Sequence, residues 1–272
     1  MNAFLDGFAS LMDYFVTQWQ QILSLTIEHI EMTAIAVGCS ILLGVPLGIL
    51  VSYVRKLGKS VIGIANVVQA IPSMALLGLA IPLLGIGTLP AVVMVIIYSL
   101  LPIVKNTYTG ITNIDPLLVE AATGIGLTKW QVLYKIKLPM ALPVIMAGVR
   151  ISTVTAVGLM TMAAFIGAGG LGYLVFSGIR TVNNIQILAG AIPACILALV
   201  VDFLMGLIEK LVTPISLQKQ FGTSKEKLKR RRTRSKAILG VAAALLVLMV
   251  GNTVYHNLAN TSDRSIVIGS KD

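Results

Sequence analysis

Charged residues are scarce in this chain, and their scarcity excludes an ordinary soluble domain. Only 12% of the 272 residues are Asp, Glu, Lys or Arg, whereas 56% are hydrophobic. Soluble domains carry about 25% charged residues. Long apolar runs that hold few charges are typical of integral membrane proteins. The composition therefore predicts a multi-pass membrane protein. We interpret its net charge of +10 as a sign of how the spans are oriented in the membrane, and not as a sign of nucleic-acid binding.

Cysteine and histidine are equally rare, which limits metal and redox chemistry. The only two cysteines, Cys39 and Cys195, fall in apolar runs, where we expect small buried side chains. They provide neither a CxxC metal motif nor a disulfide framework. The two histidines, His29 and His256, lie near predicted outer membrane edges, and we interpret them as polar interfacial residues. We therefore predict no metal site and no cofactor in this chain.

Two segments resemble nucleotide-binding motifs, but the sequence around each of them does not support a nucleotide site. Residues 167–172 satisfy the pattern GxGxxG, but they follow a membrane span and not a strand, and the next acidic residue is Asp202. Residues 58–60 resemble the end of a phosphate-binding loop, but Tyr53 occupies the position of its first glycine. The chain is predicted to lack an ATPase site, and the glycine run is interpreted as an outer loop or a helix break.

Uncharged stretches locate six membrane crossings. The 45 residues from 60 to 104 hold no charge and are long enough for two spans, with a turn at 85–90. The other predicted crossings are 32–54, 140–167, 185–207 and 237–255. Pro72 and Pro82 are each expected to break a span.

The distribution of Lys and Arg predicts the orientation of the spans. With the N-terminus outside, 17 of the 21 basic residues fall in cytoplasmic segments. The basic run 225–236 would then stop the chain at the inner membrane face and contact anionic lipids. The predicted parts are an extracellular segment at 1–25, a transmembrane domain at 26–215 with a cytoplasmic loop at 115–139, a basic linker at 216–236, a sixth helix at 237–255 and an extracellular end at 256–272.

The most informative segment is the polar loop at residues 115–139, which we call the signature loop. Asp115 precedes a proline and is an N-cap signal, and Thr128 is a second one. Gly126 permits a backbone conformation that other residues resist. Pro139 is expected to interrupt the second short helix near Lys137. We therefore predict two short helices, joined at a glycine, that form a rigid projection.

The spacing within this loop resembles the cytoplasmic signature of ABC importer permeases. The matching positions are Glu120, Ala121, Ala122, Gly126, Ile136, Leu138 and Pro139. Residues 69–87 and 165–172 resemble permeases of the glycine betaine, carnitine and choline importer group. The resemblance covers about residues 25–215. It implies an all-α integral membrane fold, the ABC importer transmembrane domain with five core helices, to which the sixth C-terminal span is added.

The resemblance also implies the partners of the chain. A homodimer of permeases would bind two separate ATPase subunits, which carry ATP and Mg. The contact with the ATPase would involve the segment from Glu120 to Leu127, together with Ile136, Leu138 and Pro139. The implied substrates are small quaternary ammonium osmoprotectants, namely glycine betaine, carnitine, choline or ergothioneine.

The end of the chain departs from the minimal permease. Its last eight residues, from Ser265 to Asp272, resemble the first strand of a quaternary-amine binding domain. We therefore expect a tethered extracellular receptor to follow. Such a fusion suits the cell membrane of a Gram-positive bacterium, with both termini outside.

Residues within the spans are candidates for a pore or a gate. They are Pro72, Ser73, Met74, Arg150, Met160, Met162 and Asp202. Arg150 and Asp202 either pair with each other or face a polar cavity. Neighbouring hydroxyls, such as that of Ser152, either line a path or pack helices together. Two other functions stay open at this point: an ion-coupled secondary transporter, and a membrane-anchored receptor without transport activity.

Overall fold

The computed structural model describes residues 2–213 and the single positions 233, 238 and 240. The helices of residues 2–213 are α1 (Asn2–Thr17), α2 (Trp19–Tyr53), α3 (Arg55–Ala70), α4 (Ser73–Leu84), α5 (Thr88–Thr112), α6 (Pro116–Gly124), α7 (Lys129–Val132), α8 (Leu138–Ala163), α9 (Leu171–Thr181) and α10 (Asn184–Val212). A π-helical turn, Leu133–Lys137, joins α7 to α8, and a 3-10 turn, Ala164–Ile166, follows α8. The predicted basic linker, sixth span and outer end lie outside the described residues.

Within the described residues, four helical segments are long and apolar enough to cross a membrane. They are α2, α5, the continuous segment Lys129–Ile166 and α10. A fifth crossing is formed only if the bent pair Ser60–Ala70 and Ser73–Leu84 is counted as one span, because its two halves meet at 97°. The uncharged run 60–104 therefore holds the bent segment and the first part of α5, which continues to Thr112.

The two prolines of the bent segment behave differently. Pro72 lies at the break between α3 and α4, as predicted. The prediction that Pro82 breaks a span is wrong, because Pro82 lies inside α4. A proline removes one helical hydrogen bond, and α4 ends two residues later, so the disruption is confined to its last turn.

The first long helix begins earlier than its apolar run suggests. α2 begins at Trp19, so the expected boundary at residue 25 falls inside it. His29 is fully buried on this helix, and its Nε2 lies 3.1 Å from the carbonyl oxygen of Val157. The interpretation of His29 as an interfacial residue is therefore wrong. A polar side chain whose partner is on another helix does not mark the end of a span.

Close helix contacts organise the core of the protomer. α5 packs against both α2 and α8. Gly44 and Gly48 of α2 face Ile103 and Thr107 of α5 so closely that a Cβ atom at Gly48 would lie 2.5 Å from the Cβ of Thr107. Small residues at such crossings let two backbones approach in an apolar environment.

Hydroxyl groups join the same helices. The Ser152 hydroxyl donates to the carbonyl of Ser99 at 2.6 Å, and the Ser40 hydroxyl lies 3.1 Å from the carbonyl of Ile96. Ser152 is fully buried. Of the two roles considered for it, helix packing is the one that its position supports.

The two cysteines differ in exposure. Cys39 is half-buried, whereas Cys195 is exposed on α10, so the prediction of a buried cysteine is wrong at this position. Only 6% of the most apolar window of α10 is buried within the protomer. Its apolar side chains therefore form much of the protomer surface, which lipid or another subunit would cover.

Candidate coupling site

The first half of the signature loop is a short helix with a defined beginning. The Asp115 carboxylate accepts a hydrogen bond from the amide of Leu117 at 2.9 Å, and Pro116 is the first helical residue. α6 ends at Gly124, and Gly126 has a φ angle of +88°. Residues with a side chain rarely adopt this angle. The predicted cap and the predicted glycine turn are both confirmed.

The second half begins with a capping box. The Thr128 hydroxyl accepts from the amide of Gln131 at 3.4 Å, and the Gln131 side-chain oxygen accepts from the amide of Thr128 at 2.9 Å. The amide of Leu127 donates to the carbonyl of Ala122 at 3.1 Å and closes the turn between the helices. The capping box fixes the beginning of α7, and the bond from Leu127 holds the turn against α6.

The prediction that Pro139 interrupts the second helix is wrong. The π turn bonds residues five apart, and the amide of Leu138 donates to the carbonyl of Leu133. Pro139, which has no amide hydrogen, follows at the beginning of α8, where a proline is tolerated. The loop therefore continues into the membrane as one helical rod, Lys129–Ile166.

The signature positions divide into an exposed set and an internal set. Glu120, Ala121 and Gly126 are exposed, Ala122 is buried, and Leu127, Ile136, Leu138 and Pro139 are half-buried. Large apolar side chains beside the exposed set also face outward, with Leu117 at 70% and Ile125 at 80% exposure. We call Leu117, Glu120, Ile125 and Gly126 the docking face. An exposed apolar group of this kind on a rigid element is typical of a protein interface.

Several of the pore and gate candidates meet at the bend between α3 and α4. Pro72 is exposed, and the Ser73 hydroxyl lies 3.7 Å from the sulfur of Met162. Met74 is half-buried against the apolar core beside them. Met160 is fully buried in that core, which does not support a place on the wall of a path.

Sequence reasoning missed Tyr98 at this bend. Its hydroxyl donates to the carbonyl of Ile71, the residue that follows the end of α3, at 2.5 Å. A tyrosine within a long apolar run is a signal that a buried acceptor is present, since its hydroxyl needs a partner. The acceptor itself lies 27 residues away in the chain, so the sequence does not show which group it is.

Arg150 and Asp202 form a bidentate ion pair between α8 and α10. The Arg150 Nε and Nη2 atoms lie 2.6 and 2.7 Å from the two oxygens of Asp202. A second carboxylate, that of Glu209, lies 3.6 Å from Nη1. Of the two arrangements considered from the sequence, the pair is the one formed. Because both Asp202 oxygens accept from arginine, this carboxylate is already occupied and is a poor ligand for a coupling ion.

Comparison with known proteins decides the family of the chain. Residues 40–214 match the family described as "Binding-protein-dependent transport system inner membrane component". The chain belongs to this family. Its sequence is 42% identical over 208 residues to the glycine betaine/carnitine/choline transport system permease protein OpuCB of Bacillus subtilis, covering 76% of this chain and 96% of that protein. It is 47% identical over 196 residues to the osmoprotectant import permease protein OsmW of Salmonella typhimurium, covering 70% and 91%.

Solved structures agree with this assignment. The MetNI methionine ABC transporter in an inward-facing conformation matches with a TM-score of 0.62 and 27% identity, over 69% of this chain and 94% of that one. The resemblance to ABC importer permeases and the all-α transmembrane fold are thus confirmed. As a member of this inner-membrane family, the chain is a multi-pass cell-membrane protein.

A substitution at Tyr98 tests whether its hydroxyl stabilises the bend between α3 and α4. We expect Tyr98→Phe to lower the free energy of unfolding by about 1 kcal/mol, because the carbonyl of Ile71 loses its donor. Thermal unfolding in detergent would then begin roughly 2 to 4 °C lower. Tyr173→Phe, at an exposed position on α9, is the matched control. Equal melting of the two variants would show that the Tyr98 hydroxyl does not hold the bend.

Proposed function

We propose that this chain is the permease subunit of an ATP-driven importer for small quaternary ammonium osmoprotectants. Glycine betaine, carnitine and choline are the candidate substrates because the relatives OpuCB and OsmW are osmoprotectant permeases. Ergothioneine, which is also a trimethylammonium betaine, is included on the same chemical ground. The observation that carries the transport proposal is the signature loop, an exposed docking face rigidly joined to a membrane-spanning helix.

In the proposed mechanism, the docking face receives the movement of the ATPase. Closure of two ATP-bound subunits pushes α6, and the turn closed by the bond between Leu127 and Ala122 passes the push to α7, whose beginning the capping box fixes. α7 and α8 form one helical segment, so the membrane part of α8 moves with the loop. A loaded receptor outside delivers substrate as the outer side opens. The ATP and Mg belong to the partner subunits.

The number of helices supports the proposal that the permease is a homodimer. The four membrane-length helices and one bent pair in the described part of a protomer enclose a pathway poorly, whereas two copies around a twofold axis provide twice as many. Large apolar side chains on α3 and α4 are exposed in the protomer, among them Val67 at 66% and Leu83 at 84%. A second copy would cover part of this surface. A tethered receptor and a Gram-positive source stay predictions from the sequence.

Uptake in proteoliposomes tests this function directly. The full chain, reconstituted with its ATPase and receptor, should accumulate radiolabelled glycine betaine only when ATP and Mg are supplied on the ATPase side. A non-hydrolysable ATP analogue should not support accumulation. Uptake that follows an imposed proton or sodium gradient without ATP would contradict the proposal and favour a secondary transporter.

The proposed orientation gives a labelling prediction. In a background with Cys39→Ala and Cys195→Ala, we expect Thr88→Cys and Asn183→Cys to react with an impermeant thiol reagent added to intact cells. Gly124→Cys, in the signature loop, should react only after the membrane is permeabilised. All three positions are exposed. Labelling of the Gly124→Cys variant in sealed cells would reverse the orientation.

A further inference from the structure

An apolar cavity outside the docking face has no role in the proposed coupling. It has a volume of about 570 Å³ and lies between the end of α2 and the turn formed by α7 and the π helix. Its apolar wall includes Ile49 and Leu50 of α2, and Trp130 and Tyr134 stand on the opposite side. The volume is within the range of pockets that hold a small organic molecule or part of a larger one.

The α2 wall of the cavity continues along the exposed apolar face of that helix. Leu43, Leu47 and Leu50 repeat at intervals of three and four residues and are 57%, 37% and 58% exposed. Residues at these intervals lie on one face of a helix. Because α2 is a membrane-length helix, this face is suited to hydrocarbon chains. The cavity is therefore the end of an apolar surface that runs along the span.

The rim of the cavity is aromatic and positively charged. The rings of Trp130 and Tyr134 stack with their centroids 6.0 Å apart. Lys129 is among the lining residues, and the ammonium group of Lys137 lies 5.2 Å from the centre of the Tyr53 ring, which also lines the cavity. Tryptophan and tyrosine concentrate at the level of lipid headgroups, and basic side chains there attract anionic lipids.

We propose that this cavity binds one anionic phospholipid from the leaflet on the side of the signature loop. Its acyl chain would lie against Ile49 and Leu50, and its phosphate would lie near Lys129 and Lys137. Two observations select this occupant: the charge of the rim is complementary to an anionic headgroup, and the wall is continuous with an apolar face of membrane length. The bound lipid would brace α2 against the signature loop.

Fluorescence from Trp130 tests the proposal, because the chain has only two tryptophans. The full-length Trp19→Phe variant is placed in phosphatidylcholine nanodiscs that contain increasing fractions of brominated phosphatidylglycerol or brominated phosphatidylcholine. Bromine quenches a nearby indole. We expect half-maximal quenching at about a fivefold lower fraction of the anionic lipid for each rim lysine that contributes, the size of effect typical of one basic residue at a membrane surface.

Lysine variants decide whether the selectivity comes from this site. Lys129→Gln should remove about fivefold of the preference for phosphatidylglycerol. Lys135→Gln is the matched control, since Lys135 lies on the π turn that follows α7 but does not line the cavity. In the Trp130→Phe chain, Trp19 should be quenched equally by both lipids. Circular dichroism checks that each variant is folded.

Three results would overturn the proposal. Equal quenching of Trp130 by both lipids would show that the site does not select an anionic headgroup. An equal loss of selectivity in Lys129→Gln and Lys135→Gln would show general surface attraction and not a site. Complete recovery of fluorescence when the ATPase subunit is added would assign the cavity to the protein interface instead.

Discussion

A Gly126→Asp variant should remain in the membrane and lose nearly all ATP-driven uptake. No atom of a more distant described residue lies within 4 Å of the position that a Cβ would occupy, so a steric clash with this part of the chain would not explain the loss. The carboxylate would stand on the docking face, where closure of the ATPase would have to desolvate it. Burying a polar group without a partner costs at least about 2 kcal/mol, which corresponds to about a thirtyfold loss. The rate of uptake per reconstituted permease measures this effect.

Two companion variants separate charge from backbone strain. Gly126→Asn keeps the site neutral, and asparagine tolerates a positive φ angle better than most residues, so we expect this variant to keep most of the uptake. Glu120→Lys reverses the charge at an exposed position of α6 and should uncouple ATP hydrolysis from uptake. Normal uptake in both Gly126→Asp and Glu120→Lys would contradict the assignment of the docking face.

The second large effect is expected at Gly48, where α2 crosses α5. A side chain at this position would place its Cβ 2.5 Å from the Thr107 Cβ and 3.0 Å from the carbonyl oxygen of Val104. The carbonyl belongs to the backbone and cannot move away without separating the two helices. We expect Gly48→Leu to lower stability by about 3 kcal/mol, at the upper end of the range for overpacking.

Gly38 provides the control for this substitution on the same helix. A Cβ at Gly38 would meet no atom within 4 Å, so Gly38→Leu adds the same side chain in open space. The yield of monodisperse protein after detergent extraction, and its melting temperature, compare the two variants. If both behave like the unmodified chain, the close α2–α5 crossing is not a determinant of the fold.

Local signals explain why much of the signature loop could be predicted. Asp115 and Thr128 cap helices through atoms at most three residues away, so their effect can be predicted from a short stretch of sequence. Gly126 likewise acts through its own backbone angle. The two incorrect proline predictions have a common cause. Whether Pro82 or Pro139 ends a helix depends on the hydrogen bonds of the surrounding turn, which the residue type does not determine.

Long-range partners explain what the sequence did not show. His29 looked like an interfacial residue because its partner, the carbonyl of Val157, is 128 positions away. The acceptor of Tyr98 was hidden for the same reason. Arg150 and Asp202 were recognised as a candidate pair only because charges are so rare in the spans. With so few other charged side chains in the spans, each of the two residues had few possible partners, and the pair could be predicted.

In the proposed mechanism, the helical rod from Lys129 to Ile166 would transmit a tilt from one side of the membrane to the other. It contains 38 residues and, at the rise of an α-helix, is about 57 Å long. A tilt of only about 5° at the signature loop would carry the opposite end through an arc of roughly 5 Å, since the rise per residue fixes the arm length. The glycine run that begins at Gly167 follows directly at that end, and the amide of Gly170 donates to the carboxylate of Glu28 on α2 at 2.8 Å, so a displacement there would reach α2. Small movements of a motor on one side of the bilayer would thus become ångström-scale movements on the other.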